Sequence, residues 1–401
     1  MRIPVLSLAL IAALTLQGQY SGDNVRYMNI ALEELPDALR KDPGSLLLDV
    51  RSVAEFGDTC PNAGLKIGRF RGAVNIPTDS FASNYERLIP YRHRTIYVYC
   101  SHGQRSRHVS NQLADSGFTK LKNVNAGLSR FWHEHHHMSA VRSLVEREHP
   151  DMLISTTELC AKLQEGALVV DIRPDSVFHG LGPYEVQRAR GRVRGALHIP
   201  FEMLEARAVE LPQDRPLIFI DANGDHAPLA ARRMRERGHP LTHALFGGFD
   251  VFRNTGHDYF PCADKILLRQ VPYKVIPIEG LDMAAVTASG GVVLDIRSAE
   301  EFEGRHERVR LNLGRLRGPI NAPLDEILAG RAPADLNKET PVLVMGRMGA
   351  DTYKAANALH ARGHKDVTVL DGSIWHLRWH AHNFAGKEHM EELVERPPYG
   401  P

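Results

Sequence analysis

Three copies of one short pattern limit what this chain can fold into. In each copy an apolar run ends in Asp-x-Arg, with the aspartates at Asp49, Asp171 and Asp295. A phenylalanine follows each aspartate after seven residues, at Phe56, Phe178 and Phe302. A pattern that recurs at such long intervals predicts several copies of one structural unit.

A second motif repeats in step with the first. The segments 71–77, 194–200 and 317–323 each begin with Arg-Gly and end with proline, and their glycines lie 123 residues apart. We interpret each segment as a tight turn that leads into a short strand, because glycine allows two backbone segments to approach closely. The constant interval predicts three domains, at 25–138, 150–256 and 272–388.

The order of elements within each unit indicates the fold class. Short apolar strands alternate with helical stretches, which predicts an α/β unit whose parallel sheet is covered by helices on both faces. We interpret the Asp-x-Arg pairs as structural, with each pair tying the end of a strand to the adjoining segment.

The charge balance and the N-terminus exclude some functions and suggest a location. The 49 basic and 48 acidic side chains of the 401 residues give a net charge of +1, which excludes a basic nucleic-acid surface. Arg2 and the apolar stretch 5–16 resemble the start of a signal peptide, which we place at 1–18. This predicts export to a periplasm or the exterior, with no membrane association after cleavage. The alternative is an uncleaved anchor or a buried strand.

The first unit contains a candidate nucleophile. Residues 95–99 form a strand-like run, a tight loop begins at Cys100, and a helical stretch follows from Arg105. Backbone N–H groups at the start of a helix favour an anion and lower the pKa of a thiol placed there. The alternative is an inert core cysteine. We predict catalytic roles for Cys100 and Arg105, and an anion cradle made of Ser101, His102, Gly103, Gln104 and Ser106.

The segment Cys100-Ser-His-Gly-Gln-Arg-Ser106 resembles the active-site loop of the rhodanese family. The resemblance covers nearly the whole mature chain and implies three tandem rhodanese-like α/β/α sandwich domains with central parallel sheets. It also implies that Cys100 takes a sulfane sulfur from a thiosulfate-like donor, holds it as a persulfide and passes it to a thiol or other thiophilic acceptor. No cofactor or metal is required. Tyrosine phosphatases carry five residues between cysteine and arginine, whereas this loop has four, which disfavours a phosphatase.

The corresponding loops of the other two units lack the cysteine. They begin at Asp221 and Gly346, and each keeps the glycine three positions on, at Gly224 and Gly349. We therefore expect both to keep the backbone cradle and to lack sulfur chemistry. His226 and Asp351 replace the arginine, and we expect Asp351 to serve as a helix N-cap. The second and third units would then pack against the first, shape its entrance or bind a partner protein.

Two functions remain as hypotheses from the sequence. The first is an exported rhodanese-type sulfurtransferase. The second is a catalytically weak binding, scaffold or redox-sensing protein whose Cys100 is vestigial. Detectable thiocyanate formation from thiosulfate and cyanide would discriminate between them.

Other histidines and cysteines carry weaker signals. The histidines of 133–137, with His376, His380 and His382, could hold a metal, but we favour a solvated linker that titrates. Cys60 could resolve a Cys100 persulfide as a disulfide, although an inert loop cysteine is the simpler interpretation. The sequence does not assign pairs among Cys60, Cys160 and Cys262.

Overall fold

The computed structural model contains three parallel sheets of five strands each. It describes residues 26–133, 139–147, 152–182, 187, 191–254, 260–308, 311–331, 333, 336–383 and 388–396. The predicted signal peptide at 1–18 lies outside the described residues. The α/β class and the three-unit organisation predicted from the repeat are confirmed.

The first unit is built around strand β5 (Ile96–Tyr99), the middle strand of its sheet, on which every residue is buried. Its strands are β1 (Met28–Ile30), β2 (Leu46–Asp49), β3 (Arg69–Phe70), β4 (Val74–Asn75), β5 (Ile96–Tyr99), β6 (Leu121–Val124) and β7 (Val145–Glu146). Its helices are α1 (Leu35–Lys41), α2 (Val53–Phe56), α3 (Phe81–Asn84), α4 (Gln104–Asp115), α5 (Ser129–His133) and α6 (Ser139–Arg142). The sheet order is β1-β6-β5-β2-β4. Burial on both faces explains why β2 and β5 are continuous apolar runs rather than alternating ones.

The second unit repeats this order. Its strands are β8 (Leu153–Ile154), β9 (Leu168–Asp171), β10 (Arg192–Val193), β11 (Leu197–His198), β12 (Leu217–Ile220), β13 (Thr242–Leu245) and β14 (Leu267–Leu268). Its described helices are α7 (Thr156–Gln164), α8 (Asp175–Phe178), α9 (Ala227–Glu236), α10 (Gly248–Asn254) and α11 (Ala263–Ile266). The sheet order β8-β13-β12-β9-β11 matches that of the first unit.

The third unit has the same topology. Its strands are β15 (Lys274–Ile276), β16 (Val292–Asp295), β17 (Arg315–Leu316), β18 (Ile320–Asn321), β19 (Val342–Met345), β20 (Val367–Leu370) and β21 (Val394–Glu395). Its helices are α12 (Met283–Ala288), α13 (Ala299–Phe302), α14 (Leu324–Leu328), α15 (Gly349–Ala361) and α16 (Ser373–Asn383). Short 3-10 turns, such as Ala63–Leu65 and Glu388–Leu393, connect elements in all three units.

The Asp-x-Arg motif is a buried ion pair, as the sequence analysis predicted. Arg51 donates from Nε to Asp49 Oδ1 at 3.0 Å and from Nη2 to Asp49 Oδ2 at 2.7 Å. Its Nη2 also donates to the Gly68 carbonyl at 2.8 Å. The equivalent pairs in the other units, Asp171–Arg173 and Asp295–Arg297, are equally buried. Each pair therefore ties the end of a central strand to its surroundings.

The chain that leaves each unit returns to it as the second strand of a small antiparallel ribbon. Strand β7 pairs with β3, β14 pairs with β10, and β21 pairs with β17. The close approach depends on a glycine in a left-handed conformation just before the first ribbon strand. At Gly68, with φ +79°, a Cβ atom would lie 2.4 Å from the Glu146 carbonyl oxygen. The segments that connect the units thus carry regular structure.

The first two units share apolar packing. Trp132 and Phe246 lie in one buried cluster with their ring centroids 6.3 Å apart, and the His133 ring lies 5.1 Å from Phe246. Burial, together with the charges of His102, His380 and Arg130, lowers the pKa of His133 to about 3. The expectation of a solvated, titrating segment is therefore wrong for His133, while 134–138 lie outside the described residues.

Two of the three histidines of helix α16 are also buried rather than solvated. His376 is 7% exposed, with Nδ1 3.0 Å from the Gly372 carbonyl oxygen. His380 is 1% exposed, with Nδ1 2.7 Å from Glu279 Oε1. The expectation of a solvated linker is therefore wrong here as well, because these residues lie on a helix that packs into the third unit.

A disulfide joins two of the four cysteines. Cys160 on α7 is bonded to Cys262, which directly precedes α11, so the bond ties the start of the second unit to its end. The other two cysteines, Cys60 and Cys100, are free and buried. Among the described residues, no helix is long and apolar enough to span a membrane.

Candidate active site

Cys100 lies where strand β5 ends, at the carboxyl edge of the first sheet. The next three residues form the loop, and helix α4 begins at Gln104. Gly103 is the N-cap residue with φ +89°, a left-handed conformation that costs glycine little and other residues about 1–2 kcal/mol. This backbone path turns the start of a 12-residue helix towards the cysteine. The strand, loop and helix predicted from the sequence are present.

The sulfur of Cys100 lies against one hydrogen-bond donor and one acceptor. The backbone N–H of Gly103 donates to Sγ at 3.0 Å, and Ser106 Oγ lies 3.6 Å from Sγ. Cys100 is 1% exposed, so few water molecules compete for these contacts. A thiolate or persulfide anion formed here would be stabilised by the N–H group and by the positive end of helix α4.

Ser106 connects the sulfur to a buried amide. Its Oγ lies 2.6 Å from Asn123 Oδ1 and 3.1 Å from the Gly103 carbonyl oxygen. Asn123 Nδ2 donates to the side-chain oxygens of Asn29 and Asn125, which orients the Asn123 oxygen towards Ser106. An amide oxygen only accepts, so Ser106 donates its single proton there and its lone pairs remain available to the Cys100 thiol.

Arg105 is held by a carboxylate that the sequence analysis did not consider. Its Nη1 and Nη2 donate to the two oxygens of Glu55 at 2.6 and 2.7 Å, and Nη2 also donates to Ser101 Oγ at 2.9 Å. Burial alone would raise the pKa of Glu55, but hydrogen bonds and charge from Arg105, with help from Ser52, lower it to about 2. The arginine therefore presents a neutralised pair rather than an isolated positive charge.

Glu55 had a visible signal in the sequence. It is the last residue of Ser52-x-x-Glu55, the pattern of a capping box, and the Ser52 side chain and Glu55 N–H close that box at the start of α2. The same pattern recurs at Ser298-x-x-Glu301, where Glu301 pairs with Arg347 at 2.7 Å. In the second unit Val177 holds the equivalent position.

The remaining predicted cradle residues point in different directions. Ser101 is buried and accepts from Arg105, while the His102 and Gln104 side chains are exposed at the mouth of the loop. His102 Nδ1 lies 3.0 Å from Ser101 Oγ. Partial burial of the ring and the charge of Arg105 lower the pKa of His102. Gly103 and Ser106 are thus the predicted cradle residues with recorded contacts to the sulfur.

Cys60 lies in a separate environment. Its Sγ lies 3.1 Å from the carbonyl oxygen of Asn62, an acceptor that requires the protonated thiol. Burial and the charge of Glu55 raise its pKa. The interpretation of Cys60 as an inert loop cysteine rather than a resolving one remains a prediction.

The second unit keeps the cradle and fills it with a carboxylate. Gly224 is left-handed like Gly103, with φ +85°. Its N–H donates to Asp221 Oδ1 at 2.7 Å, and the His226 N–H donates to Asp221 Oδ2 at 2.7 Å. Burial raises the pKa of Asp221, and these backbone donors oppose that rise. The cradle predicted for this unit is present, with the side chain of Asp221 as its anion.

The third unit has lost the cradle, contrary to expectation. Gly349 is not among the left-handed residues, and the N-cap of α15 is Met348 in an extended conformation. The N–H of Gly346 donates instead to Ser373 Oγ at 3.1 Å. Asp351 lies in the first turn of α15 rather than at its N-cap. A cavity of about 500 Å³, lined by Arg347, Glu301 and Asp351 among others, lies beside this loop.

Comparison with known proteins defines the class. A sequence model of the rhodanese-like domain matches residues 31–134, 155–255 and 282–376. The chain therefore belongs to the rhodanese-like domain family and carries three copies of its domain.

The two curated relatives and the solved structure described next each match about one domain of this chain. The chain is 33% identical over 96 residues to the adenylyltransferase and sulfurtransferase UBA4 of Meyerozyma guilliermondii, covering 22% of this chain and 20% of that protein. It is 24% identical over 99 residues to the tRNA uridine(34) hydroxylase of Escherichia coli, covering 24% and 26%. A crystal structure of a rhodanese-related protein from Thermoplasma volcanium is 24% identical and covers 26% of this chain and 90% of that one, with a TM-score of 0.22. The family match and the similarity to a sulfurtransferase support a sulfur-related role.

Proposed function

We propose that this protein is a rhodanese-type sulfurtransferase that moves sulfane sulfur from a thiosulfate-like donor to a thiophilic acceptor through a persulfide on Cys100. One observation carries the proposal: the Gly103 N–H donates to Cys100 Sγ at 3.0 Å, at the start of helix α4. In this arrangement the proposed nucleophile and its anion stabiliser would lie together, at the edge of the sheet where α/β proteins bind ligands.

The proposed reaction has two displacement steps. The Cys100 thiolate attacks the outer sulfur of the donor, the donor's S–S bond breaks, and sulfite leaves with the electron pair when the donor is thiosulfate. The nucleophilic acceptor then attacks the terminal sulfur of the Cys100 persulfide, and the thiolate leaves. The Gly103 N–H and the dipole of α4 stabilise the anion in both states, and no step requires a cofactor.

Arg105 has a positioning part in this proposal. The recorded hydrogen bonds to Glu55 and Ser101 use three of the five N–H donors of its guanidinium. The pair with Glu55 fixes the plane of the group beside the loop, and the remaining donors would orient the donor's oxygens. Because Glu55 offsets its charge, Arg105 would orient the bound donor molecule more than it would attract that molecule electrostatically.

The decisive measurement is the intact mass of the protein after incubation with thiosulfate. We expect wild type to gain about 32 Da, one sulfur, and to lose it on addition of cyanide with formation of thiocyanate. Cys100→Ser keeps the shape of the side chain and should gain nothing, whereas Cys60→Ser should load normally. Failure of wild type to load from any sulfane donor, with a titratable Cys100 thiol, would overturn the proposal.

A second function is favoured by the loss of cysteine from two of three loops. A chain retained for binding a partner protein would keep the folds of the second and third units without their chemistry, as observed for Asp221 and Gly346. The mass experiment separates the two functions, because a binding protein does not acquire a sulfur that cyanide removes.

We further propose that the protein is exported. The bond between Cys160 and Cys262 supports this, because disulfides persist mainly in oxidising compartments. Cell fractionation, with N-terminal sequencing of the mature chain, tests the proposal. Recovery of a full-length chain from the cytoplasm would contradict it.

A further inference from the structure

The second unit carries a cluster of two histidines and an aspartate at the carboxyl edge of its sheet. Asp175 and His179 lie one helical turn apart, and His198 ends strand β11. One potential ligand atom from each of the three residues can be chosen so that all lie within 4.8 Å of one another. The cluster is separate from the Cys100 loop and plays no part in the proposed transfer of sulfur.

The internal repeat provides a comparison within the chain. Counted from the Asp-x-Arg aspartate and the Arg-Gly motif, the same three positions hold other residues in the other units: Val53, Gly57 and Asn75 in the first, and Ala299, Glu303 and Asn321 in the third. The three potential ligands therefore occur together in one copy of the fold. The scaffold alone does not require any of them.

His198 is positioned to present one ring nitrogen. At its equivalent position, the Asn75 amide donates to the Asp49 and Arg51 carbonyls. His198 Nε2 lies 2.9 Å from the Arg173 carbonyl oxygen, and a carbonyl only accepts, so Nε2 carries the proton. Nδ1 is then left with a lone pair, 3.8 Å from Asp175 Oδ1. The Phe178 ring stacks on the imidazole at 4.1 Å and holds its plane.

The distances fit a small tetrahedral ion. Metal–ligand bonds of about 2.0–2.1 Å hold tetrahedral ligand atoms about 3.3 Å apart. His179 Nδ1 lies 3.4 Å from Asp175 Oδ1, close to that value. It also lies 3.0 Å from the Asp175 backbone carbonyl oxygen, so this contact must open and the proton must move to Nε2 before Nδ1 can bind an ion. The side chains of Asp175 and His179 are 77% and 48% exposed, so both can rotate by the small amount needed and an ion can enter from solvent.

We propose that Asp175, His179 and His198 form a binding site for a divalent transition-metal ion of the zinc type. Two imidazoles and one carboxylate suit Zn²⁺ and its first-row neighbours, whereas Mg²⁺ and Ca²⁺ prefer oxygen ligands throughout. Three protein ligands leave a fourth position for water, which is the arrangement of an open site rather than a closed structural one. The proton on His198 Nε2, held by the Arg173 carbonyl, supplies the supporting contact that orients a metal-binding imidazole.

The test is a titration of the full-length, untagged chain with Zn²⁺ in competition with a chromophoric chelator. A Cys100→Ser background removes the thiolate as a competing ligand. The matched variant is His198→Asn, which installs the residue of the other two units and keeps a donor for the Arg173 carbonyl. The control is His93→Asn, an exposed histidine of the first unit.

We expect one tight Zn²⁺ per chain, and His198→Asn should weaken that site by more than the ~10–100-fold that loss of a supporting contact costs. Asp175→Asn should weaken the site as well, His93→Asn should leave it unchanged, and Co²⁺ bound to the parent should show visible bands of a four-coordinate ion. Unchanged stoichiometry and affinity in His198→Asn, or the absence of any tight site in the parent, would overturn the proposal.

Discussion

The pair formed by Glu55 and Arg105 changes how the loop of the first unit is understood. An arginine beside a nucleophilic cysteine suggests a charge that attracts an anionic donor, yet here a buried carboxylate takes both of its terminal nitrogens. In the proposed reaction, attraction of an anionic donor would therefore depend more on the N–H groups at the start of helix α4 than on the guanidinium. The pair fixes the geometry of the loop and contributes to stability in a pH-dependent way.

Replacing Glu55 by glutamine tests that pH dependence. The pKa of Glu55 is lowered from 4.5 to about 2, so the pair stabilises the fold fully above about pH 4.5 and loses its effect as the pH falls through about 2. The Arg105 side chain is 35% exposed, so solvent screens part of the energy of the pair. We therefore expect Glu55→Gln to lower the free energy of unfolding by about 1–2 kcal/mol at pH 7, and by progressively less below pH 4.5.

Urea unfolding measured from pH 2 to pH 7 gives this difference. Glu210→Gln provides the control, because Glu210 also makes a bidentate pair, with Arg207, but on the exposed surface. We expect the control to have little effect at any pH. Equal effects of the two substitutions would contradict a specific role for the Glu55 pair.

At the level of residues, the sequence predicted the site residues that are close together in the chain and missed those that come from distant segments. Cys100 and Gly103 follow from a strand–loop–helix pattern that lies within a few positions of the sequence. Glu55 and Asn123 reach the loop from other elements, and sequence spacing does not show which side chain will meet which. The repeated Ser-x-x-Glu pattern at Ser52 and Ser298 was the available hint for Glu55.

At the level of elements, the antiparallel ribbons show how the units are closed. The sequence motif Arg-Gly predicted a turn, but the glycine that permits the ribbon lies four positions earlier, at Gly68 in the first unit. Only a three-dimensional pairing of β3 with β7 explains why no side chain fits there. Linkers that look polar and irregular in sequence can thus carry strands, because two-residue strands leave almost no periodic signal.

Two glycine substitutions separate backbone strain from close approach. Gly68 and Gly72 are both left-handed, with φ +79° and +75°, but a Cβ on Gly72 meets nothing within 4 Å. Each alanine should cost about 1–2 kcal/mol for the conformation. Gly68→Ala should cost about 1–3 kcal/mol more, because its Cβ would overlap the Glu146 carbonyl.

Thermal unfolding and limited proteolysis across 139–147 compare the two variants. We expect Gly68→Ala to expose this segment to cleavage and Gly72→Ala to leave it protected. Identical unfolding and cleavage would mean that the ribbon does not depend on the close approach.

At the level of the whole molecule, one scaffold holds three different versions of the same loop. The first places a cysteine against the left-handed glycine, the second places Asp221 there, and the third has a different backbone path at Gly349. The repeat in the sequence predicted the three units and the loss of cysteine correctly. It did not predict the altered third loop, because the glycine is retained there while its conformation is not.

This difference predicts which unit can regain sulfur chemistry. In a Cys100→Ser background, Asp221→Cys should acquire a sulfur from thiosulfate, seen as about 32 Da, because the Gly224 N–H is already in place. Gly346→Cys should not, because its Cβ would lie 3.0 Å from Ile296 Cγ1 and no left-handed glycine faces it. Circular dichroism confirms that both variants fold, and equal loading of the two would refute the distinction between the cradles.

The ribbons also bear on how the chain is made. Each unit is completed by residues that directly follow it, so the first unit can close once residue 146 has emerged, before the sheet of the second unit has been synthesised. Folding can then follow the N-to-C order of emergence from a ribosome or translocation channel, one unit at a time. The bond between Cys160 and Cys262, like the pairing of β10 with β14, must wait for nearly the whole second unit.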